Sequence, residues 1–197
     1  MVPLAGRDTA ICDATLALLA EVGYDRMSMD AVAARAHASK ATIYRRWPGK
    51  RELVLDALRG RAERTAVPAD TGSLRSDLLA TFRAMSDEFG DEEAELMAGV
   101  LHAMRCSPEL GACVRDQVFE SKARLLRLVV GRAVARGELP ADADAGLAHE
   151  VAGGLWFQRV LVVGGPVDDD FIAHITDDVL IPLLSRGNPS TTTRETP

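Results

Sequence analysis

The chain has 197 residues, of which 47% are hydrophobic and 26% charged, a composition typical of a folded protein with a sizeable core. Its three cysteines, Cys12, Cys106 and Cys113, are odd in number and lack the spacing of a disulfide framework. Asp8 and Asp13 interrupt the N-terminal region, and no run of about 18 apolar residues follows. We therefore expect neither a signal peptide nor a membrane span, and we predict a cytosolic protein.

The net charge of −6 is unevenly distributed. Residues 1–64 contain 11 basic and 8 acidic side chains, a balance of +3, whereas the remainder contains 12 and 21, a balance of −9. The 17 residues from Arg35 to Arg51 include six basic side chains and no acidic one. Because binding to phosphates needs a positive surface locally rather than overall, the composition permits DNA binding at the N-terminal end only.

Apolar residues recur at intervals of three and four along the chain, which predicts amphipathic helices and no strand. Gly23 is placed to end the first helix, while Ser28 and Ser39 are placed to cap the second and third. The predicted helices cover Asp8–Val22, Met29–Arg35, Lys40–Arg46, Lys50–Glu63, Leu74–Phe89, Asp91–Arg105, Pro108–Arg136, Ala143–Val163 and Asp169–Ser185.

These helices predict an all-α fold of about nine helices in two domains. The segment Thr65–Gly72, which contains Pro68, is predicted to join them. We place a helix-turn-helix domain at residues 1–64 and a helical bundle at residues 65–187. Residues 188–197 are rich in serine, threonine and proline, and we predict that they are disordered.

Three short helices, the second and third joined by a tight turn, are typical of a helix-turn-helix. A third helix in the major groove would present hydroxyl and basic side chains to the duplex. Arginine pairs with the acceptors on a guanine edge, and hydroxyl groups suit phosphate oxygens. Ser28 and Lys50 begin helices, where free backbone N–H groups favour a phosphate.

The segments Met29–Ala36 (MDAVAARA) and Ser39–Leu53 (SKATIYRRWPGKREL) closely resemble the DNA-binding domain of TetR-type regulators. The resemblance is strong from Thr9 to Leu58 and rests mainly on helix order thereafter. It implies a homodimer, a C-terminal domain for ligand binding and dimerisation, and repression of operator DNA that a small molecule releases. The DNA contacts that it implies are Ser28, Ser39, Lys40, Thr42, Tyr44, Arg45 and Lys50.

The same resemblance assigns Ile43 and Trp47 to packing within the small domain. At the turn, such proteins commonly have glycine and then valine where this chain has His37 and Ala38. Histidine tolerates a positive φ better than most side chains, so we expect the turn to form with some strain. Alternatively, His37 faces a phosphate.

The last two predicted helices carry an apolar face. It consists of Leu155, Trp156, Val160, Leu161, Val163, Ile172, Ile175, Val179, Leu180 and Leu183. We predict that this face pairs two subunits, and the alternative is ordinary core packing. A set of large apolar side chains could line an effector pocket, although packing is the better explanation for each of them taken singly. The pocket candidates are Met85, Phe89, Met97, Leu101, Met104, Phe119 and Trp156.

A metal or redox site and an enzymatic active site are the two other kinds of site to consider in this sequence. His102, Cys106 and Cys113 are spaced so that they could share a helical face, but three ligands without a CxxC pair make a weak metal or redox site, and we predict no metal and no cofactor. The sequence contains no GxGxxG, GxxxxGK[ST], HExxH or GxSxG motif, so no enzymatic activity is predicted. A purely architectural DNA binder would not need the residues after the joint.

Overall fold

The computed structural model describes residues 6–64, 70–87 and 93–186, and every regular element in these ranges is helical. The α-helices are α1 (Gly6–Arg26), α2 (Met29–Arg35), α3 (Lys40–Arg46), α4 (Lys50–Arg64), α5 (Leu74–Asp87), α6 (Glu93–Cys106), α7 (Pro108–Val114), α8 (Glu120–Ala135), α9 (Ala145–Phe157), α10 (Asp169–His174) and α11 (Ile181–Ser185).

Three π-helical segments connect or extend these helices. Arg115–Phe119 joins α7 to α8, Gln158–Val163 extends α9, and Ile175–Leu180 joins α10 to α11. Counted this way, the described ranges contain nine uninterrupted helices, which confirms the predicted all-α fold. The predicted tail at 188–197 and residues 65–69 of the predicted joint lie outside the described residues.

Most helix ends have a local cause that the sequence shows. Gly23 (φ 75°, ψ 167°) breaks the helical geometry inside α1 where a stop was predicted, although the helix resumes and continues to Arg26. Ser107, Asp144 and Asp168 cap α7, α9 and α10, each accepting a hydrogen bond from a backbone N–H of the first turn. Gly164 ends the segment after α9 at φ 67°, a left-handed conformation that favours glycine.

The helices pack into two compact units. The first contains α1–α4, α6, α7 and the π-helical segment after α7, with α1 packed against α2, α4 and α6. Its core includes Ile11, Leu19, Leu53 and Val54, all completely buried. At Gly99 of α6 the two helices come close, because a Cβ at that position would lie 2.6 Å from the carbonyl oxygen of Leu19 in α1.

The second unit contains α5, α8 from residue 122, and α9–α11 with their π-helical segments. Here the carboxylate of Asp77 is fully buried, accepts hydrogen bonds from Thr71, and pairs with Arg136 at 3.0 Å. Trp156 packs beside Phe82, with ring centroids 6.3 Å apart. None of the described helices is long and apolar enough to cross a lipid bilayer.

Candidate nucleic-acid interface

The short helices α2 and α3 begin where the sequence places their caps. The Ser28 hydroxyl accepts a hydrogen bond from the Ala31 N–H at 3.1 Å, and the Ser39 hydroxyl accepts one from the Thr42 N–H at 3.1 Å. The hydroxyl groups of Ser39 and Thr42 also lie 2.8 Å apart and share a hydrogen bond. The predicted spans of both helices are therefore confirmed by side-chain caps that fix where each one starts.

The turn between α2 and α3 is closed by backbone hydrogen bonds around a left-handed residue. His37 has φ 48°, the one positive φ outside glycine among the described residues. Its N–H donates to the Ala34 carbonyl at 3.3 Å, and the Ala38 N–H donates to the Ala33 carbonyl at 3.0 Å. These two bonds form a Schellman motif, in which glycine usually occupies the position of His37. His37 thus has the predicted positive φ. This conformation is unfavourable for a residue with a side chain, and the imidazole of His37 is exposed.

One buried side chain orients α3. Ile43 is completely buried against the core of the first unit, and Trp47, which follows the helix, is 3% exposed. Lys40, Tyr44 and Arg45 are exposed, and Lys40 and Tyr44, four positions apart, share a helical face. Tyr44 keeps half of its surface exposed although it is large and partly apolar. The helix therefore presents a polar and basic face to solvent.

Most of the basic side chains between residues 35 and 51 have acidic partners. Arg35 forms a two-pronged ion pair with Glu21, and Arg46 pairs with Asp8 at 3.0 Å. Arg51 pairs with Glu52 and Glu109. All of these partners except Glu52 come from distant parts of the sequence, so the acid-free stretch is less strongly positive in the structure than in the sequence.

Lys40 and Arg45 differ in this respect. The Lys40 ammonium lies 2.8 Å from Asp30 at the start of α2, and the hydrogen bond and charge of this carboxylate raise the pKa of Lys40. Arg45, in contrast, makes no ion pair within the described ranges. A phosphate that approached Lys40 would have to replace the Asp30 carboxylate. A phosphate or base that approached Arg45 would displace no carboxylate of the described residues.

Lys50 has an intramolecular role that the sequence did not suggest. Its ammonium donates to the carbonyl oxygens of Tyr24 at 2.7 Å and Met27 at 3.1 Å, and it lies 4.3 Å from the centre of the Tyr24 ring. These contacts tie the start of α4 to the end of α1 and the residue before the Ser28 cap. Two of its three N–H groups are used in this way, which leaves one for a phosphate.

Trp47 anchors the far end of α3. Its indole N–H donates to Asp56 at 2.9 Å, Asp56 pairs with Arg59, and the Arg46 guanidinium lies over the Trp47 ring.

Burial, with the charge of nearby Asp56, raises the pKa of the Cys12 thiol to about 12, so this thiol stays protonated. An open groove of about 460 Å³ also borders Trp47, and none of the described pocket candidates lines it.

The pocket candidates fall in both units. Met97, Leu101, Met104 and Phe119 are half-buried in the first unit, where Met104 and Phe119 pack against its core. In the second unit, Met85 is half-buried and Trp156 is buried. The remaining candidate, Phe89, lies outside the described residues.

The candidate metal or redox residues are grouped differently in the structure than the sequence suggested. His102 and Cys106 are neighbours on α6, with the Cys106 sulfur 3.3 Å from His102 Nε2. The third member of the group is Asp25 of α1 rather than Cys113. Because Asp25 is 77 positions from His102, no local spacing could reveal this neighbour.

Known proteins resemble both halves of the chain. Residues 11–57 match the family of bacterial regulatory proteins called tetR, and residues 68–179 match the tetracyclin repressor-like C-terminal domain. The DNA-binding transcriptional repressor TetR of Mycobacteroides abscessus is 40% identical over 182 residues, covering 92% of this chain and 95% of that protein.

Solved structures share the fold. GusR of Salmonella enterica superposes with a TM-score of 0.75 at 18% identity, covering 93% of this chain and 98% of that one. The transcriptional regulator FadR of Bacillus subtilis, solved in complex with stearoyl-CoA, superposes with a TM-score of 0.68 at 19% identity, covering 89% and 97%.

Proposed function

Because the chain belongs to the TetR family of DNA-binding transcriptional regulators, we propose that it is a repressor that binds operator DNA as a homodimer and leaves it when a small molecule binds. The observation that carries this proposal is the exposed basic face of α3, fixed by the buried Ile43. We assign DNA binding to residues 1–64, and ligand binding and dimerisation to residues 65–187. The proposed role is regulatory rather than catalytic, in the cytoplasm where the DNA lies.

Arg45 is the proposed base-reading residue. It is exposed on α3 and has no acidic partner within the described ranges, so its guanidinium can meet the two acceptors of a guanine without first breaking an ion pair. Tyr44 lies beside it, half exposed, and its hydroxyl suits either a phosphate or a base edge.

The remaining predicted contacts are proposed to hold the phosphate backbone. The hydroxyl groups of Ser28, Ser39 and Thr42 lie at the starts of α2 and α3, and Lys40 supplies a cation on the same helix. Lys50 is proposed to use its third N–H for a phosphate. Backbone contacts of this kind position a protein on DNA but carry little sequence information.

The dimer is proposed to form through α9 to α11. Val162 and Val163, at the end of the segment that extends α9, are 78% and 55% exposed, which is unusual for adjacent apolar residues. Trp156, Ile175 and Leu180 of the same apolar face are buried within one chain. The predicted face is therefore partly core, and its exposed remainder is what a second subunit would cover.

The effector is proposed to bind in the C-terminal half of the protein. FadR of Bacillus subtilis binds stearoyl-CoA, and its fold is shared with this chain. The pocket candidates Met85, Phe89, Met97, Leu101, Met104, Phe119 and Trp156 stay a prediction from the sequence, and large apolar side chains of this kind would suit an apolar molecule. An effector acts only as far as its affinities for the DNA-binding and released forms differ.

The test is selection of duplexes from a random library by the purified protein at near-physiological salt, followed by sequencing. We expect a palindrome with two half-sites about one helical turn apart. The selected duplex and a scrambled one then serve to compare Arg45→Ala with the control Arg124→Ala, which removes the same charge from an exposed position of α8.

Arg45→Ala should weaken binding to the selected duplex by roughly 5-fold to 150-fold, the size of a lost bidentate base contact, and affect the scrambled duplex much less. The control should leave both affinities close to those of the unmodified protein. Equal losses of Arg45→Ala on both duplexes would remove Arg45 from base reading. Failure to enrich any sequence would contradict the operator-binding proposal itself.

A further inference from the structure

Three exposed side chains from two helices form a cluster that DNA binding does not use. His102 and Cys106, one turn apart on α6, point toward Asp25 near the end of α1. His102 Nε2 lies 3.3 Å from the Asp25 carboxylate and 3.3 Å from the Cys106 sulfur, and the three ligand atoms lie within 4.8 Å of one another. Imidazole, thiolate and carboxylate are all common metal ligands in proteins.

The two separations from His102 Nε2 fit one tetrahedral ion. With zinc bonds of about 2.3 Å to sulfur, 2.0 Å to nitrogen and 2.1 Å to oxygen, a tetrahedral site holds nitrogen about 3.5 Å from sulfur and about 3.3 Å from oxygen. Both 3.3 Å distances in the structure lie within about 0.2 Å of these values. The Asp25 oxygen and the Cys106 sulfur, which lie within 4.8 Å of each other, would approach to about 3.6 Å when both bind the ion. Three protein ligands leave the fourth position to water.

The donor set also selects the metal. A thiolate disfavours magnesium and calcium, which prefer oxygen ligands, whereas a carboxylate is a poor ligand for Cu(I). A mixed set of sulfur, nitrogen and oxygen is typical of Zn(II). We therefore infer that Asp25, His102 and Cys106 bind a Zn(II) ion that joins the end of α1 to α6. The sequence predicts no metal site, and a metal titration decides between that prediction and this proposal.

The backbone around the cluster brings it together without an ion. Gly99 lets α6 approach Leu19 of α1, and His102 and Cys106 follow one and two turns later on α6. Asp25 likewise follows Leu19 on α1, beyond the break at Gly23. The ligands thus lie on two neighbouring helices whose spacing the glycine sets.

The position of Asp25 gives the ion a consequence. Lys50 holds the carbonyls of Tyr24 and Met27 on either side of Asp25, and α2 of the helix-turn-helix begins four residues after it. An ion at this cluster would fasten that short connection to α6. Metal binding is measured on the free protein, so the inference does not depend on the proposed operator.

The experiment titrates the reduced, metal-free full-length protein with Co(II), a spectroscopic substitute for Zn(II), and then displaces it with Zn(II). We expect one Co(II) per chain, intense visible bands from a tetrahedral ion, and a near-ultraviolet thiolate band that Zn(II) removes. Cys106→Ser should abolish the thiolate band, and Asp25→Asn and His102→Gln should each lower the affinity roughly tenfold or more.

Cys113→Ser is the matched control, because it removes a cysteine that is not part of the cluster. It should bind Co(II) like the unmodified protein, while the buried, protonated Cys12 contributes nothing. Zn(II) at about 100 times its dissociation constant should shift the folding equilibrium about 100-fold in the unmodified protein and in Cys113→Ser, and much less in Cys106→Ser.

Two results would overturn the inference. One is Co(II) binding without a thiolate band or without tetrahedral bands. The other is binding that survives His102→Gln and Cys106→Ser but is lost in Cys113→Ser. Circular dichroism of each variant shows whether it is folded, so a loss of binding is assigned to the ligand and not to unfolding.

Discussion

Replacement of Gly99 by alanine tests the close approach of α1 and α6. A Cβ at this position would lie 2.6 Å from the Leu19 carbonyl oxygen and 3.3 Å from its carbonyl carbon. Ordinary contact begins near 3.4 Å, so the Leu19 carbonyl or the whole of α6 must move by several tenths of an ångström. The atoms that a new Cβ would meet belong to the backbone of a packed helix. Unlike a side chain, this backbone cannot move aside by adopting another rotamer.

The expected cost follows from two opposing effects. Overpacking of a well-packed core costs about 1–3 kcal/mol, and alanine inside a helix is favoured over glycine by about 0.5–1 kcal/mol. Overpacking dominates, so Gly99→Ala should lower the free energy of unfolding by roughly 1–2 kcal/mol. In a protein of this size the melting temperature should fall by about 2–8 °C.

Thermal unfolding followed by circular dichroism measures this shift, and Gly131→Ala is the matched control. Gly131 is an exposed glycine within α8, and a Cβ there would meet no atom within 4 Å. The control should therefore gain about 0.5–1 kcal/mol from helix propensity alone. If Gly99→Ala were as stable as Gly131→Ala, the two helices would not approach as described, and the argument for the spacing of the metal ligands would fail with it.

Three further predictions concern the turn, the interface and a buried charge. His37→Gly should stabilise the protein by about 0.5–1 kcal/mol in urea unfolding, because glycine adopts φ 48° without steric cost; a loss of stability would contradict the left-handed turn. Asp30→Asn should raise affinity for scrambled DNA several-fold by freeing Lys40 and removing a negative charge, and an unchanged affinity at low salt would place Lys40 away from the phosphates. Asp77→Ala should destabilise the protein by about 2–4 kcal/mol, since it leaves the Arg136 guanidinium without its buried partner. Burial alone would raise the pKa of Asp77, but hydrogen bonds from Thr71 and Arg136 outweigh burial and hold this pKa below its ordinary 3.8. The contribution of Asp77 to the free energy of unfolding is therefore present above about pH 4 and is lost as the pH falls. In an acid titration, Asp77→Asn should not show this loss.

Local signals predicted the helices well. Ser28 and Ser39 cap α2 and α3 at the predicted positions, and the break at Gly23 was expected from residue type. The left-handed His37 was expected because the family resemblance puts glycine at this position. These features depend on residues within one turn of each other, so the sequence contains the whole cause. The π-helical segments were not predicted, because no residue type marks where a π turn occurs within a helix.

The chemistry of the interface was less predictable. Between residues 35 and 51 the sequence shows six basic residues and no acidic one. It does not show that Asp8, Glu21 and Asp30 form ion pairs with three of these basic residues. Lys50 was predicted as a phosphate ligand, and its use as a clamp on the end of α1 depends on a fold-level contact 26 positions away. Such pairings arise only once the helices pack, and a pattern read along the chain does not contain them.

The two tryptophans provide an optical consequence of the two-unit arrangement. Trp47 lies in the first unit and Trp156 in the second, and the sequence has no other tryptophan. Each ring is almost completely buried, so unfolding of its unit should shift its emission to longer wavelength. Single Trp→Phe variants therefore give two versions of the protein, each with one fluorophore, in which the melting of one unit is observed separately from that of the other.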